Sequence, residues 1–292
     1  MLLSYLMKYI LQITLALSAV IALVVGCASQ PDDKTDQAVL TNNFNSRWAE
    51  NKLWDDGLAE VATYAAERVV YGKKRSFPYT LITVKEDFNK KFNVKTDDYQ
   101  RQDLFPVIKV NAFCRIPTDN YPYHYLTSLF FKRENPTQIH KITSSSQEWC
   151  GNTFKAFSRE NNNYQYTFNS YWDNQGEGKT SLSGNILFED QLTYTLRSLR
   201  FKDKLTFTYP VAALIQTNKA NKPDIYTATF TVSTNNSGAA GKLWQVRVQL
   251  APDKENIYLF KQDYPHIMVN QQTWDGRSLE LQDVKRNAYW QH

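Results

Sequence analysis

The chain has 292 residues, 42% of them hydrophobic and 22% charged, which excludes wholesale disorder and allows one large β-rich domain. Its 34 basic residues outnumber 29 acidic ones for a net charge of +5, but they are dispersed. The short runs Lys73-Lys74-Arg75 and Lys90-Lys91 suit solvated turns better than a nucleic-acid patch, so no nucleic-acid partner is expected.

Residues 1–26 read as a secretion signal. Lys8 is the one charge before an apolar run from Tyr9 to Val25, and the run ends at Val24-Val25-Gly26-Cys27. These four residues resemble a bacterial lipobox, in which small residues precede the cysteine that takes the lipid. Cleavage before Cys27 would remove one lysine and no acid, leaving a net charge of +4. The alternative, an uncleaved membrane helix, is near the lower length limit for a span. The expected address is a lipid anchor at Cys27 in the outer membrane, facing the periplasm, since Ala28 and Ser29 follow where an aspartate would signal inner-membrane retention. The polar stretch through residue 46 is predicted to be a flexible tether, and residues 47–292 the folded domain.

Strands dominate the remainder. Leu58–Tyr71 and Tyr79–Phe88 are predicted to pair around Gly72-Lys73-Lys74-Arg75, although Ala59–Arg68 also has helix formers. Val107–Phe113, Tyr123–Lys132, Ile139–Ser145 and Thr153–Ser158 follow as strands. Tyr164, Tyr166 and Phe168 alternate with polar neighbours. So do Tyr226–Ser233 and Trp244–Leu250, which Asn235-Asn236-Ser237-Gly238 should join as a hairpin. Leu205–Tyr209, Ile257–Lys261 and Leu279–Leu281 complete the strands, and Glu189–Leu199 suits one short helix. The expected fold is mainly β, a single strongly curved antiparallel sheet (an open or half barrel) with one or two short helices.

Catalytic chemistry has little to stand on. Cys114 and Cys150 could pair as a disulfide in an oxidising compartment, or remain buried free thiols. Cys150 with a histidine base (His124, His140 or His266) would make a nucleophile, but no local signature supports it. No metal-ligand spacing, phosphate loop or dinucleotide fingerprint occurs, so no metal or cofactor is expected. Two short stretches concentrate aromatic, amide and thiol groups outside any alternation. They supply the candidate ligand or partner contacts Tyr121, Tyr123, His124, Glu148, Trp149 and Cys150, while core filling by Trp149 and Cys150 is the alternative.

Several phrases carry a resemblance. They are Trp54-Asp55-Asp56-Gly57-Leu58-Ala59-Glu60, Tyr71-Gly72, Ile82-Thr83-Val84-Lys85-Glu86-Asp87-Phe88, Lys109-Val110-Asn111, Tyr121-Pro122-Tyr123-His124 with Ser128, and Ser146-Gln147-Glu148-Trp149-Cys150-Gly151. Together they resemble a family of uncharacterised bacterial lipoproteins, some labelled septum formation proteins, over about residues 54–175. That family implies a lipoprotein and lends no activity. More loosely, lipobox, tether and curved sheet are similar to the lipoprotein-sorting proteins LolA and LolB, which would imply a concave face holding acyl chains. The expected function is therefore a non-enzymatic binding lipoprotein. It would hold a lipid-like or glycan ligand, or an envelope-assembly protein partner, on the curved sheet. The alternatives are a scaffolding lipoprotein with a filled core and, third, a hydrolase using Cys150 or Glu148.

Overall fold

In the computed structural model, the described residues are 33–236 and 241–291, so the signal segment, Cys27 and the tip of the 235–238 hairpin lie outside them. The chain divides into two compact units, residues 1–36 and 37–292, and the second carries the sheet. Among the described residues no helix is long and apolar enough to cross a membrane.

The first strands show why this chain folds as it does. β1 (Ala59–Val70) and β2 (Lys73–Asn89) pair antiparallel with Val70 opposite Lys73, so Tyr71-Gly72 is a two-residue turn. Both turn residues have positive φ, 52° and 70°, the geometry whose twist matches the flanking strands. Pairing with β2 on one side and with the last strand, residues 278–287, on the other overrides the helix formers between Ala59 and Arg68.

β2 also carries the short β3 (Val94–Lys95), and on its other side β4 (Leu104–Ile116) begins a meander. The meander continues through β5 (Tyr123–Lys132), β6 (Asn135–Glu148), β7 (Gly151–Glu160), β8 (Asn163–Ser170) and β9 (Glu177–Ser183). A second meander comprises β11 (Thr206–Ala212), β12 (Ile225–Asn235), β13 (Leu243–Ala251), β14 (Lys254–Lys261), β15 (Met268–Gln272) and β16 (Ser278–Asn287). Pairing of β16 with β1 joins the two into one sheet of 16 strands. The predicted single curved sheet is thus observed, with one difference. β10 (Leu187–Phe188) pairs parallel with β11, so the sheet is mixed rather than wholly antiparallel. β12 and β13 pair as expected.

The curvature follows from connectivity. β9 and β10 lie at opposite edges of the sheet, yet three residues (184–186) join them. Three residues span at most about 14 Å. The sheet must therefore curl until its edges approach, although those edges do not pair. The next segment then fills the curl. Ile186, Leu187, Phe188, Leu192, Leu196 and Leu199 are all buried. They belong to a run of single helical turns around α2 (Leu192–Thr195), where one short helix was expected. Tyr194 packs 4.2 Å from Phe131, and Phe188 packs edge-on against Phe157 and Tyr164. Polar anchors cross the interior: Gln191 Nε2 donates to the Thr137 carbonyl at 3.0 Å, and Thr195 Oγ1 to that of Pro136 at 2.9 Å.

One end of the curl is capped by the chain that precedes β1. Residues through 46 were expected to be a tether, but α1 (Asp33–Asn43) is helical, and Leu40 and Phe44 are buried in the core. Phe44 bridges to Leu199 and packs edge-on against Phe207 at 5.7 Å. The prediction missed these few apolar residues because they sit in an otherwise polar run. Beyond them Trp48 and Trp54 pack 5.4 Å apart under Tyr264. Arg197 lies over both indoles and forms a buried bidentate pair with Glu60 at 2.7 and 2.9 Å. Asp55 binds Lys85 and Arg133, and Asp56 binds Arg286, tying the cap to β2, the β5–β6 turn and β16.

Candidate binding site

At the opposite end, the strand turns carry aromatic side chains into solvent. The β6–β7 turn is the two residues Trp149-Cys150, between the paired Glu148 and Gly151. A tight turn of that kind leaves its side chains little to pack on, and Trp149 is 79% exposed. Its indole stacks on Tyr121 at 5.9 Å with 23° between the planes. Tyr121 lies 5.8 Å from Tyr123, and Tyr123 stacks on Tyr125 at 6.1 Å. The rings thus step from the open tip into the core.

The phenol oxygens form a second layer of order. Tyr71, lifted by its positive φ, reaches across from the β1–β2 turn and shares a hydrogen bond with the Tyr123 hydroxyl. Its hydroxyl also lies 3.3 Å from that of Tyr121. The Cys150 thiol donates toward the Tyr121 oxygen at 3.7 Å. Burial, then hydrogen bonding to Tyr71, holds the Tyr123 phenol well above its usual range, so it remains a neutral donor. Hydrogen bonding to Tyr71 and Cys150 does the same for Tyr121.

Glu148 closes the inner side. Its Oε1 accepts from Asn218 Nδ2 at 3.1 Å, and the carboxylate also interacts with the Tyr123 hydroxyl, while its buried Oε2 makes no close hydrogen bond among the described residues. On the far side of the turn a Cβ on Gly151 would overlap the Tyr171 ring, so only glycine lets that ring close over the strand. Tyr171 is 62% exposed. Trp172 beside it carries the Lys219 ammonium 3.9 Å above its ring.

Five of the six candidate contacts therefore meet: Tyr121, Tyr123, Glu148, Trp149 and Cys150. His124 does not join them. It follows Tyr123 on β5, so its side chain leaves by the other face, exposed. Tyr71, Tyr171, Trp172 and Lys219 were missed. Tyr71-Gly72 carries a turn signal in the sequence, but which strand tip it would face depends on sheet order. The two cysteines are not joined. Cys114 is buried on the inner face of β4, and Cys150 is exposed at a turn. Burial pushes the Cys114 thiol up to about 12, so it is neutral and unreactive at physiological pH.

The motif residues of β2, β4 and β5 assemble elsewhere, on the outer face. Lys109 pairs with Glu86, and Ser128 Oγ donates to Asn111 Oδ1 at 2.7 Å. Trp54, Asp55, Asp56 and Glu60 belong to the cap. Among the described residues no group of three or more histidine, cysteine or carboxylate side chains could hold a metal ion.

No family model and no curated protein matches the chain. Among solved structures it is similar to a DUF1089 family protein from Pseudomonas aeruginosa, with 12% identity and a TM-score of 0.37. The likeness covers 55% of this chain and 82% of that one, and carries no functional inference.

Proposed function

We propose that this chain is a lipid-anchored, periplasm-facing envelope protein without enzymatic activity, which binds a glycan on the exposed aromatic tips at one end of its sheet. The anchor is Cys27, and the outer membrane is the membrane proposed. The observation that carries the reading is the exposed Trp149–Tyr121 stack flanked by the hydroxyls of Tyr71, Tyr121 and Tyr123 and by the Glu148 carboxylate. A sugar ring has flat C–H faces and a rim of hydroxyls, and an exposed indole beside hydrogen-bonding groups complements both. Aromatic side chains with an apolar body and a polar tip suit such surfaces.

The filled interior argues against carriage of an acyl chain on the concave face. The space between the buried segment and β1, β2 and β4 is about 40 Å³, against roughly 300 Å³ or more for an ordinary ligand pocket. A hydrolase using Cys150 or Glu148 lacks support as well. Among the described residues Cys150 hydrogen-bonds to Tyr121 and to no base, and Glu148 is engaged by Asn218. A scaffolding role is the second reading, favoured by that same filled core.

The test is sedimentation of the full chain, purified in detergent, with isolated peptidoglycan sacculi, competed by oligomers of N-acetylglucosamine. Co-sedimentation that Trp149→Ala weakens about tenfold or more is expected. Equal retention of wild type and Trp149→Ala, or none of either, would overturn the glycan reading. Capture of a protein through photo-crosslinkers at Tyr71 and Trp149, without glycan binding, would direct attention to an envelope partner.

A further inference from the structure

The connection from β11 to β12 crosses the open end of the curl as a strap. It leaves β11, beside one edge of the sheet, and residues 213–220 reach β7 and β8, beside the other. The strap has no helix or strand of its own, so partners elsewhere must hold its backbone groups. The Leu214 N–H donates to Glu189 at 3.1 Å, and those of Ile215 and Gln216 donate to Asp190 at 2.8 and 3.0 Å. From the far side, Thr153 Oγ1 donates to the Asn218 carbonyl at 2.9 Å, and the Tyr166 hydroxyl to that of Ala220 at 2.6 Å.

One side chain grips the alternate carbonyls between them. Lys155 stands between Thr153 and Phe157 on the inner row of β7 and is 1% exposed. Its ammonium donates to the carbonyls of Ile215, Thr217 at 2.9 Å and Lys219 at 2.7 Å, with the Thr217 hydroxyl 3.2 Å away. A buried ammonium is stable only where acceptors replace its water, and all three of its donors find them in the strap. Burial pushes the ammonium down to about 8, against the opposing pull of Asp190, so most of it is charged at neutral pH.

The outer side of the strap belongs to the aromatic surface. Asn218 Nδ2 donates to Glu148 at 3.1 Å, and the Lys219 ammonium lies 3.9 Å above the Trp172 ring. The carbonyls on either side of Asn218, those of Thr217 and Lys219, are both held by Lys155. A group inside the core therefore fixes where two side chains stand outside it. The geometry points to Lys155 as the positioning residue of the aromatic surface: through the strap it sets Asn218 against Glu148 and Lys219 over Trp172, in the arrangement that a glycan meets. The inference rests on the glycan reading and adds to it a determinant of affinity that never touches the ligand.

Two readouts on the full chain in detergent test the proposal. The first is the set of indole N–H resonances, assigned by single tryptophan-to-phenylalanine substitutions. In Lys155→Met the Trp172 resonance should shift, while those of Trp48 and Trp54 in the cap stay in place. A lysine that only stabilises the core would move none of them in a folded variant. The second is affinity for sacculi, which Lys155→Met should weaken about fivefold or more. Lys219→Ala, at an exposed side chain, should weaken it about two- to fivefold. An unmoved Trp172 resonance in a folded Lys155→Met, or an affinity equal to that of the wild type, overturns the proposal and leaves the glycan reading standing. Should Lys155→Met fail to fold, wild-type affinity in Lys219→Ala has the same force. A wild type that binds no glycan is a different result: it overturns the glycan reading first, and the role of Lys155 in binding with it.

Discussion

The two ends of the curled sheet use the same residue types to opposite effect. At the capped end Trp48 and Trp54 are 3% and 2% exposed, the adjacent Arg197 is bidentate with Glu60, and the aspartates after Trp54 each hold a basic partner. At the open end Trp149 is 79% exposed, the tyrosines bond to one another, and Glu148 has no basic partner among the described residues. The cap therefore carries stability, and the tips carry little of it. An aromatic cluster points to binding where burial and pairing do not already account for it.

Substitutions should separate the ends, and the largest effects belong to the cap. Arg197→Met leaves the Glu60 carboxylate buried without its partner, and should cost about 3–5 kcal/mol in urea unfolding. A loss below about 1 kcal/mol would show that the cap does not close the fold as described. Phe44→Ala removes the ring that holds the pre-β1 chain to Leu199 and Phe207, and should cost about 3 kcal/mol. Rapid proteolysis within residues 37–46 should accompany it, which limited digestion would detect.

A pH effect of intermediate size comes from the interior. Loss of water around Asp190 pushes its carboxyl up to about 6 from an ordinary 3.8, against the lowering effect of the Ile215 N–H bond. The folded state then holds the proton more tightly than the unfolded chain. The stability it contributes is fully present below about pH 4 and is lost as pH rises through 6. Asp190 is half-buried rather than sealed, so the change is about 1–3 kcal/mol. Subtracting the stability profile of Asp190→Asn from that of wild type isolates it. A flat difference between pH 4 and 7 would refute the assignment. Smallest in stability is Trp149→Ala, which should shift unfolding by less than about 0.5 kcal/mol while weakening glycan binding. A stability loss above about 2 kcal/mol would mean that the tips are structural after all.

Much of the sheet was legible because half-wet strands write their burial into the chain with period two. Tyr123–Lys132 is a strand at the predicted bounds, and Tyr226–Ser233 and Trp244–Leu250 lie within strands that pair. β3, β9, β10 and β15 escaped, since a seven-residue strand with one buried side chain and three short ones show little alternation. Phe44 and Leu40 escaped for a related reason: composition over a window averages away single anchors. The candidate site was found in part. Tyr121, Tyr123, Glu148, Trp149 and Cys150 stood out as a local concentration, whereas Tyr71 and Tyr171 reach it from turns 50 residues before Tyr121 and 22 after Trp149.

The sequence by itself determined the β class, the positions of most strands and the aromatic richness of two turns, because alternation and turn chemistry act between near neighbours. Tertiary structure alone decided that β16 meets β1, that Ile186–Leu199 fills most of the curl, and that His124 faces away from Tyr123's partners. Each depends on which distant strands become neighbours, and that choice is made by the packing of the whole core rather than by any local run of residues.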